Sequence, residues 1–356
     1  MSLITAANGP SVAALGALRA IQTFEDKKQG TLDAMAYSAS VGVTTNVDMG
    51  GFVIPGTPNI QDSEVFDTLA SWDPFTAYDP LLALHDEGKV SVRVRIFFLS
   101  MDHDPDVPLT TQRVLNAFSS FGDDMVRSSG IGEFVTSWPL FGKPFPTNYA
   151  AALNVVAGRG WAFQQHSLSL AEDQFIASAF EAVNKTIPIA DLRWSDAHVP
   201  FIDQATVNRL KAVGAGIAVH PFRYLSGGTA GGPPLRMIID SGIHVGAGSD
   251  SAQISTLDPW NLIYYMVTGK NAAGKLVNAG QEITREEAIR LYTVENGWFL
   301  KEENKLGSIE EGKLGDVAVL SDDYFNPMRV PDESIRKLHS VLTIVDGKVV
   351  HNLLNQ

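Results

Sequence analysis

Hydrophobic and polar positions along the chain follow two periods, and the alternation between them predicts the architecture. The stretch KVSVRVRIFFLS (89–100) alternates basic and apolar residues and then turns wholly apolar, the pattern of a strand entering a buried sheet. LAEDQFIASAFEAVNKT, from residue 170, instead repeats its apolar positions at three-to-four spacing, the pattern of an amphipathic helix. The same reading predicts helix over residues 11–41 on both sides of a charged EDKK break, and a strand in GVTTNVDMGG (42–51). Further strands are expected in SGIGEFVTS (129–137), WAFQQHSLS (161–169), IADLRWSDAHVPFI (189–202), GIAVHPF (216–222) and GIHVGAGSDS (242–251). Helices are expected between them, in LTTQRVLNAFSSF, YAAALNVVAGRG, DQATVNRLKAV and LRMIIDS.

Counted from residue 42, strand and helix alternate seven times, which implies right-handed βαβ units and a parallel sheet. Polar residues recur at strand ends, which favours a closed TIM-type (β/α) barrel over an open doubly wound sheet. No GxGxxG opens a helix after a strand, so a dinucleotide fold lacks its main support. The tail differs. After helices near 256–269 and 284–301, GDVAVLSDD and SVLTIVDGKVVHN read as short strands with a hairpin turn at Asp346 and Gly347. The domain expectation is therefore an α/β barrel over residues 1–305 and a small β appendage over 306–356.

Composition narrows the partners. The 356 residues are 45% hydrophobic and 19% charged, ordinary for a globular enzyme, and the net charge of -13 disfavours nucleic acid and anionic membrane surfaces. Cysteine is absent, so disulfides, thiolate nucleophiles and cysteine zinc sites are excluded, and any metal must be held by imidazole and carboxylate. No run reaches the roughly 18 apolar residues of a membrane span, and the start MSLITAANGP lacks the basic and apolar regions of a signal peptide, so a cytoplasmic protein is expected.

Four strand ends carry side chains of metal-ligand type: Glu133, His166, His198 and Asp250, with His220 as a fifth candidate. A parallel barrel gathers such groups from distant parts of the chain around an open coordination position. A single histidine at a strand end is more often a hydrogen-bonded structural residue, and it is the recurrence at corresponding positions that points to a site. The acidic run MDHDPD (101–106) reads as a solvated loop, and GGTAGGPP (227–234) as a lid over the site. His244 shares the strand parity of Asp250 and is expected to fill the barrel interior below it. The aromatics Trp138, Phe141, Phe145, Phe222 and Tyr224 follow strand ends and serve equally as walls of an apolar substrate pocket or as loop packing.

From about residue 150 onward the chain resembles the amidohydrolase superfamily, and within it the family 3 branch of YtcJ-like metal-dependent hydrolases. The residues that carry the resemblance are QQHS at the fifth-strand position, WSDAHV at the sixth, AVHPF at the seventh and GAGSD at the eighth. ITREEAIRLYTVENG, LGSIEEGKLGDVAVL and the closing SVLTIVDGKVVHN add to it. The resemblance implies that His166 and His198 are metal ligands, that Asp250 is both a ligand and the general base, and that His220 contacts the substrate carbonyl or tetrahedral oxygen. It also implies one or two divalent ions, zinc being the expected metal. Where family members often place a carboxylated lysine at the end of strand four, this chain has SGIGEFV, so Glu133 either supplies the bridging carboxylate directly or is a buried strand glutamate paired with a cation.

One departure from the family pattern matters. The family's first strand ends in a His-x-His pair, and none of the eight histidines here forms one, so the expectation is a barrel that lacks strand one. The resulting functional reading is a metal-dependent hydrolase that cleaves a C–N amide-type bond of a small, partly apolar substrate through metal-activated water. Its rivals are a non-catalytic binding relative that has lost the metal site and a metal-independent lyase or isomerase, the latter disfavoured by the lack of a lysine at a strand end. A homodimer is compatible with the reading.

Overall fold

The computed structural model describes residues 21–50, 77–100, 102, 104–136, 145–225, 231–251 and 255–354. The chain forms two compact units, Met1–Met35 with Thr45–Gln165, and Ala36–Thr44 with His166–Gln356. Seven strands follow one another in the sheet in the order of the sequence, paired in parallel. A three-stranded antiparallel sheet follows, its middle strand the second of the three in sequence. The expected α/β class with a C-terminal β appendage is what the chain adopts.

The first unit holds β1 (Thr45–Asp48), β2 (Arg93–Phe98), β3 (Val126–Glu133) and most of β4 (Ala162–His166), joined by helices α2 (Asp79–Asp86), α3 (Pro108–Asn116) and α4 (Tyr149–Gly158). β2 and β4 are buried along almost their whole length, as parallel strands covered on both faces must be. Leu81 of α2 packs on Val94, Ile96 and Val126 to form a core cluster. Helix α1 (Phe24–Ser40) corrects the expected break at EDKK, because those residues form its first turn. Thr23 and Asp26 explain why. The Asp26 carboxylate accepts from the Thr23 N–H at 2.8 Å and the Thr23 hydroxyl accepts from the Asp26 N–H at 3.1 Å, so the acidic residues start the helix. The MDHDPD run is also not simply solvated. Asp102 is fully buried, and its carboxylate accepts from the Thr110 N–H at 3.0 Å in the first turn of α3.

The second unit holds β5 (Ser195–His198), β6 (Gly216–Val219) and β7 (His244–Ala247), with helices α5 (Leu170–Asn184), α6 (Gln204–Ala212), α7 (Leu235–Ser241), α8 (Pro259–Thr268), α9 (Arg285–Tyr292) and α10 (Asn296–Phe299). Trp194, fully buried at the entry to β5, meets Phe180 of α5 edge to face at 5.0 Å and locks strand to helix. The ends of β4, β5 and β7 are each followed by a capped helix start. Ser169 caps α5, Asp203 caps α6 and Asp258 caps α8, each accepting from a backbone N–H of the first turn. Those caps fix where the chain leaves the sheet after His166, His198 and Asp250. Burial pushes the Asp258 carboxyl up to about 6.

The appendage consists of β8 (Val317–Leu320), β9 (Ser340–Val345) and β10 (Lys348–Asn352). Asp346 and Gly347 both take positive φ, 54° and 70°, as the predicted two-residue hairpin turn requires. Among the described residues no helix is long and apolar enough to cross a membrane.

Helix α9 begins with a full capping box: the Thr284 hydroxyl accepts from the Glu287 N–H at 3.1 Å and the Glu287 carboxylate from the Thr284 N–H at 2.8 Å. Glu287 also takes two hydrogen bonds from the Arg236 guanidinium, at 2.8 and 3.0 Å, which hold its carboxyl down to about 2. Thr284→Ala removes the hydroxyl acceptor alone and is expected to cost about 1 kcal/mol. The check is a lower urea midpoint at unchanged slope.

Candidate active site

The site is built from strand ends that the topology places side by side. His166 ends β4 and is 5% exposed; His198 ends β5 and is 1% exposed. The Ser167 N–H donates to the Ala197 carbonyl at 3.1 Å, which ties the end of one strand to the other. The two imidazoles therefore meet, ring centroids 4.4 Å apart at 70°. His220 directly follows β6, and its ring lies 4.5 Å from that of His198, tilted by 48°. Gly248 leaves room for it: a Cβ there would stand 2.8 Å from His220 Nε2. Asp250 follows β7 by three residues, with its carboxylate 3.8 Å from His198 Nδ1. His198 is thus the hub of the cluster.

Glu133 ends β3 in the first unit, opposite Gln165 in the register of β3 and β4. Within the second unit His166, His198 and Asp250 lie together, the two rings 4.4 Å apart and the carboxylate 3.8 Å from His198 Nδ1. Two imidazoles and a carboxylate converging in this way are the donor set of a borderline divalent ion, whose ligand bonds run about 2.0–2.2 Å, and the residues fit such a group.

The backbone is strained where the chemistry collects. His198 and Val199 have φ of 72° and 41° and Asp250 has φ of 53°, the left-handed region that a β-branched residue rarely enters. Such conformations persist only where the surroundings hold them, and they concentrate at functional sites. The helix caps at Asp203 and Asp258, downstream of these turns, supply part of that restraint.

Of the five candidates, His166, His220 and Asp250 surround the His198 ring within the second unit, and Glu133 ends β3 in the first. His244 is a correction. It is exposed at the start of β7 and stacks on the Trp298 ring at 4.4 Å and 18°, because the strand's first residue stands at the edge of the core and the indole offers a flat partner. Tyr224 is buried and donates to Asn261 at 2.8 Å, so it packs the loop against α8. Trp138 and Phe141 lie outside the described residues, as do residues 227–230 of the expected lid. The adjoining Gly232 and Pro233 are pinned: the Gly232 N–H donates to Asn278 Oδ1 at 2.8 Å, and Tyr265 donates to the Gly232 carbonyl at 2.8 Å.

Two features near the site escaped sequence reasoning. Asp196, in the middle of β5, and Asp173, in α5, are both fully buried. Burial raises both carboxyls, Asp173 to about 7, and the charge of Asp173 pushes Asp196 further up while the Ser167 hydroxyl opposes. An acid inside an otherwise apolar strand, the SDA of WSDAHV, was the available signal. The second is Asn296, whose side chain holds β7 from the helix side.

A 30% identical stretch of 114 residues, 32% of this chain and 20% of the relative, is shared with the N-substituted formamide deformylase of Arthrobacter pascens. A 26% identical stretch of 167 residues, 44% of this chain and 36% of the relative, is shared with the 5-methylthioadenosine/S-adenosylhomocysteine deaminase of Symbiobacterium thermophilum. The chain thus matches well under half the length of either curated relative. Among solved structures, a mutant of the atrazine chlorohydrolase TrzN from Arthrobacter aurescens, complexed with zinc and atraton, has the same fold: TM-score 0.70 at 16% identity, covering 99% of this chain and 79% of that one. The model of the Amidohydrolase family matches residues 6–351, nearly the whole chain, and it is to that family that this protein belongs.

Proposed function

We propose that this chain is a cytoplasmic metal-dependent hydrolase that cleaves a C–N amide-type bond of a small, partly apolar substrate. Membership of the family supports hydrolysis as the reaction class. The observation that carries the reading further is the meeting of His166 and His198 at strand ends, rings 4.4 Å apart, with the Asp250 carboxylate 3.8 Å from His198. In this reading His166, His198, Asp250 and Glu133 hold one or two divalent ions, zinc by preference, and residues 306–356 form the appended β domain. When bound, such an ion polarises a carbonyl and lowers the pKa of water.

The chain's own groups do the rest. Asp250 accepts the proton released as water attacks the carbonyl carbon, and hands it to the departing amine nitrogen. His220, on the neighbouring strand end, donates a hydrogen bond to the carbonyl oxygen as its charge grows. The burial of His166 and His198 keeps bulk water from the ligand side of the cluster. The name of the formamide deformylase relative supports an N-acyl or N-formyl amine as substrate.

The test pairs metal analysis by mass spectrometry with hydrolysis of a panel of N-formyl and N-acyl amines. Bound divalent ion and amine release are expected, both lost on chelation. A protein that binds no divalent ion sinks the proposal, and ligand-induced thermal shifts without turnover favour the binding-protein rival.

A further inference from the structure

Strand β7 is last in the sheet order, and among the described residues no strand pairs with its other edge. The Gly248 N–H donates to the Val219 carbonyl of β6 at 3.0 Å, so the alternation of a strand turns the N–H and C=O of Ala247 toward that outer edge. Unpaired backbone groups at an edge must find partners or water. Here they find one side chain. Asn296, the first residue of α10, donates from Nδ2 to the Ala247 carbonyl at 2.9 Å and accepts at Oδ1 from the Ala247 N–H at 3.2 Å.

A carboxamide carries a donor and an acceptor side by side, as a peptide group does, so Asn296 stands where the backbone of a further strand would pair. The fit is close: a Cβ on Gly246 would lie 2.2 Å from Asn296 Oδ1, which is why that position is glycine. One turn earlier, the Tyr292 hydroxyl donates to the Gly248 carbonyl at 3.3 Å. Three hydrogen bonds from two helices thus hold residues 247 and 248, and the chain reaches Asp250 two residues later in a left-handed conformation, φ 53°.

We infer that Asn296, assisted by Tyr292, is the positioning residue that sets the Asp250 carboxylate against His198, by standing in for a strand at the edge of β7. The inference rests on the metal-ligand role proposed for Asp250. Aspartate, serine or alanine at position 296 supplies at most one half of the paired bond, so the strand end gains freedom and Asp250 spends less time in place.

The test measures zinc affinity by competition with a chromophoric chelator, for wild type, N296A, Y292F, D250N and the double variant N296A/D250N. N296A is expected to bind zinc about 10- to 100-fold more weakly, the scale of lost orienting partners, and Y292F more weakly by a smaller factor. In the D250N background N296A should add no further loss, because its effect passes through Asp250. A merely structural role predicts the same loss in both backgrounds, and that result overturns the inference. Wild-type affinity in both N296A and Y292F also overturns it, and in that case weakened binding by D250N leaves the metal reading standing. Should N296A fail to fold, as judged by near-ultraviolet circular dichroism, Y292F with and without D250N decides the question by the same criterion. A wild-type protein that binds no divalent ion overturns the metal reading and this inference with it.

Discussion

His198→Ala is expected to abolish divalent-ion binding and to lower amide hydrolysis by roughly 10³-fold, the scale on which removal of an electrostatic catalytic group is felt. The ring of His198 touches every other member of the second unit's cluster: His166 at 4.4 Å, His220 at 4.5 Å between centroids, and Asp250 at 3.8 Å from Nδ1. At 1% exposure its loss opens a cavity that neighbouring imidazoles cannot fill without leaving their strands. His220→Ala supplies the contrast. In the proposed mechanism it contacts substrate oxygen, so metal content should stay intact while kcat falls by about 10²-fold. Mass-spectrometric metal stoichiometry on both variants, with circular dichroism to verify the fold, checks the pair. Retention of metal by His198→Ala, or its loss in His220→Ala alone, would reverse the assignments.

How much of this was legible beforehand depends on which forces act locally. Strands β2, β6 and β7 could be placed because burial on both faces leaves apolar runs, IFF in β2, IAV in β6 and VGA in β7. The candidate site residues were legible because side chains of metal-ligand type recur where strands give way to loops, at His166, His198 and Asp250. The EDKK segment misled because charge density was taken as a break, whereas Thr23 and Asp26 make it a helix start. His244 misled because strand parity says which face a residue takes but not whether the strand's first residue reaches the core; the indole of Trp298, 54 positions later, decided that. Asn296 was not legible at all. Its partner is a backbone edge 49 positions away, and only topology reveals that the edge needs one.

Asp196→Asn is expected to stabilise the protein at pH 8, read as a higher urea midpoint, and to flatten the dependence of stability on pH between 5 and 8. Asp196 and Asp173 lie together, fully buried, between β5 and α5. Burial is the main cause of both raised carboxyls; the charge of Asp173 pushes Asp196 further up, and the charges of Glu172 and Asp203 push Asp173 up. A carboxyl whose pKa is higher in the folded chain holds its proton there while the unfolded chain has already released it. Its contribution to stability is therefore complete below the unfolded value near 3.8 and is lost as pH rises through the folded value, about 7 for Asp173. Above pH 7 the fold must keep two buried acids close together, at least one of them ionised, against a large desolvation cost. An asparagine at 196 keeps the size of the side chain and removes one charge, and its amide offers a donor to the Asp173 carboxylate. Urea unfolding of both proteins from pH 5 to 8, with chelator present so that metal binding does not enter, measures the effect. If Asp196→Asn is the less stable protein at pH 8 and keeps the wild-type slope, the two carboxyls do not share the electrostatic burden assigned to them.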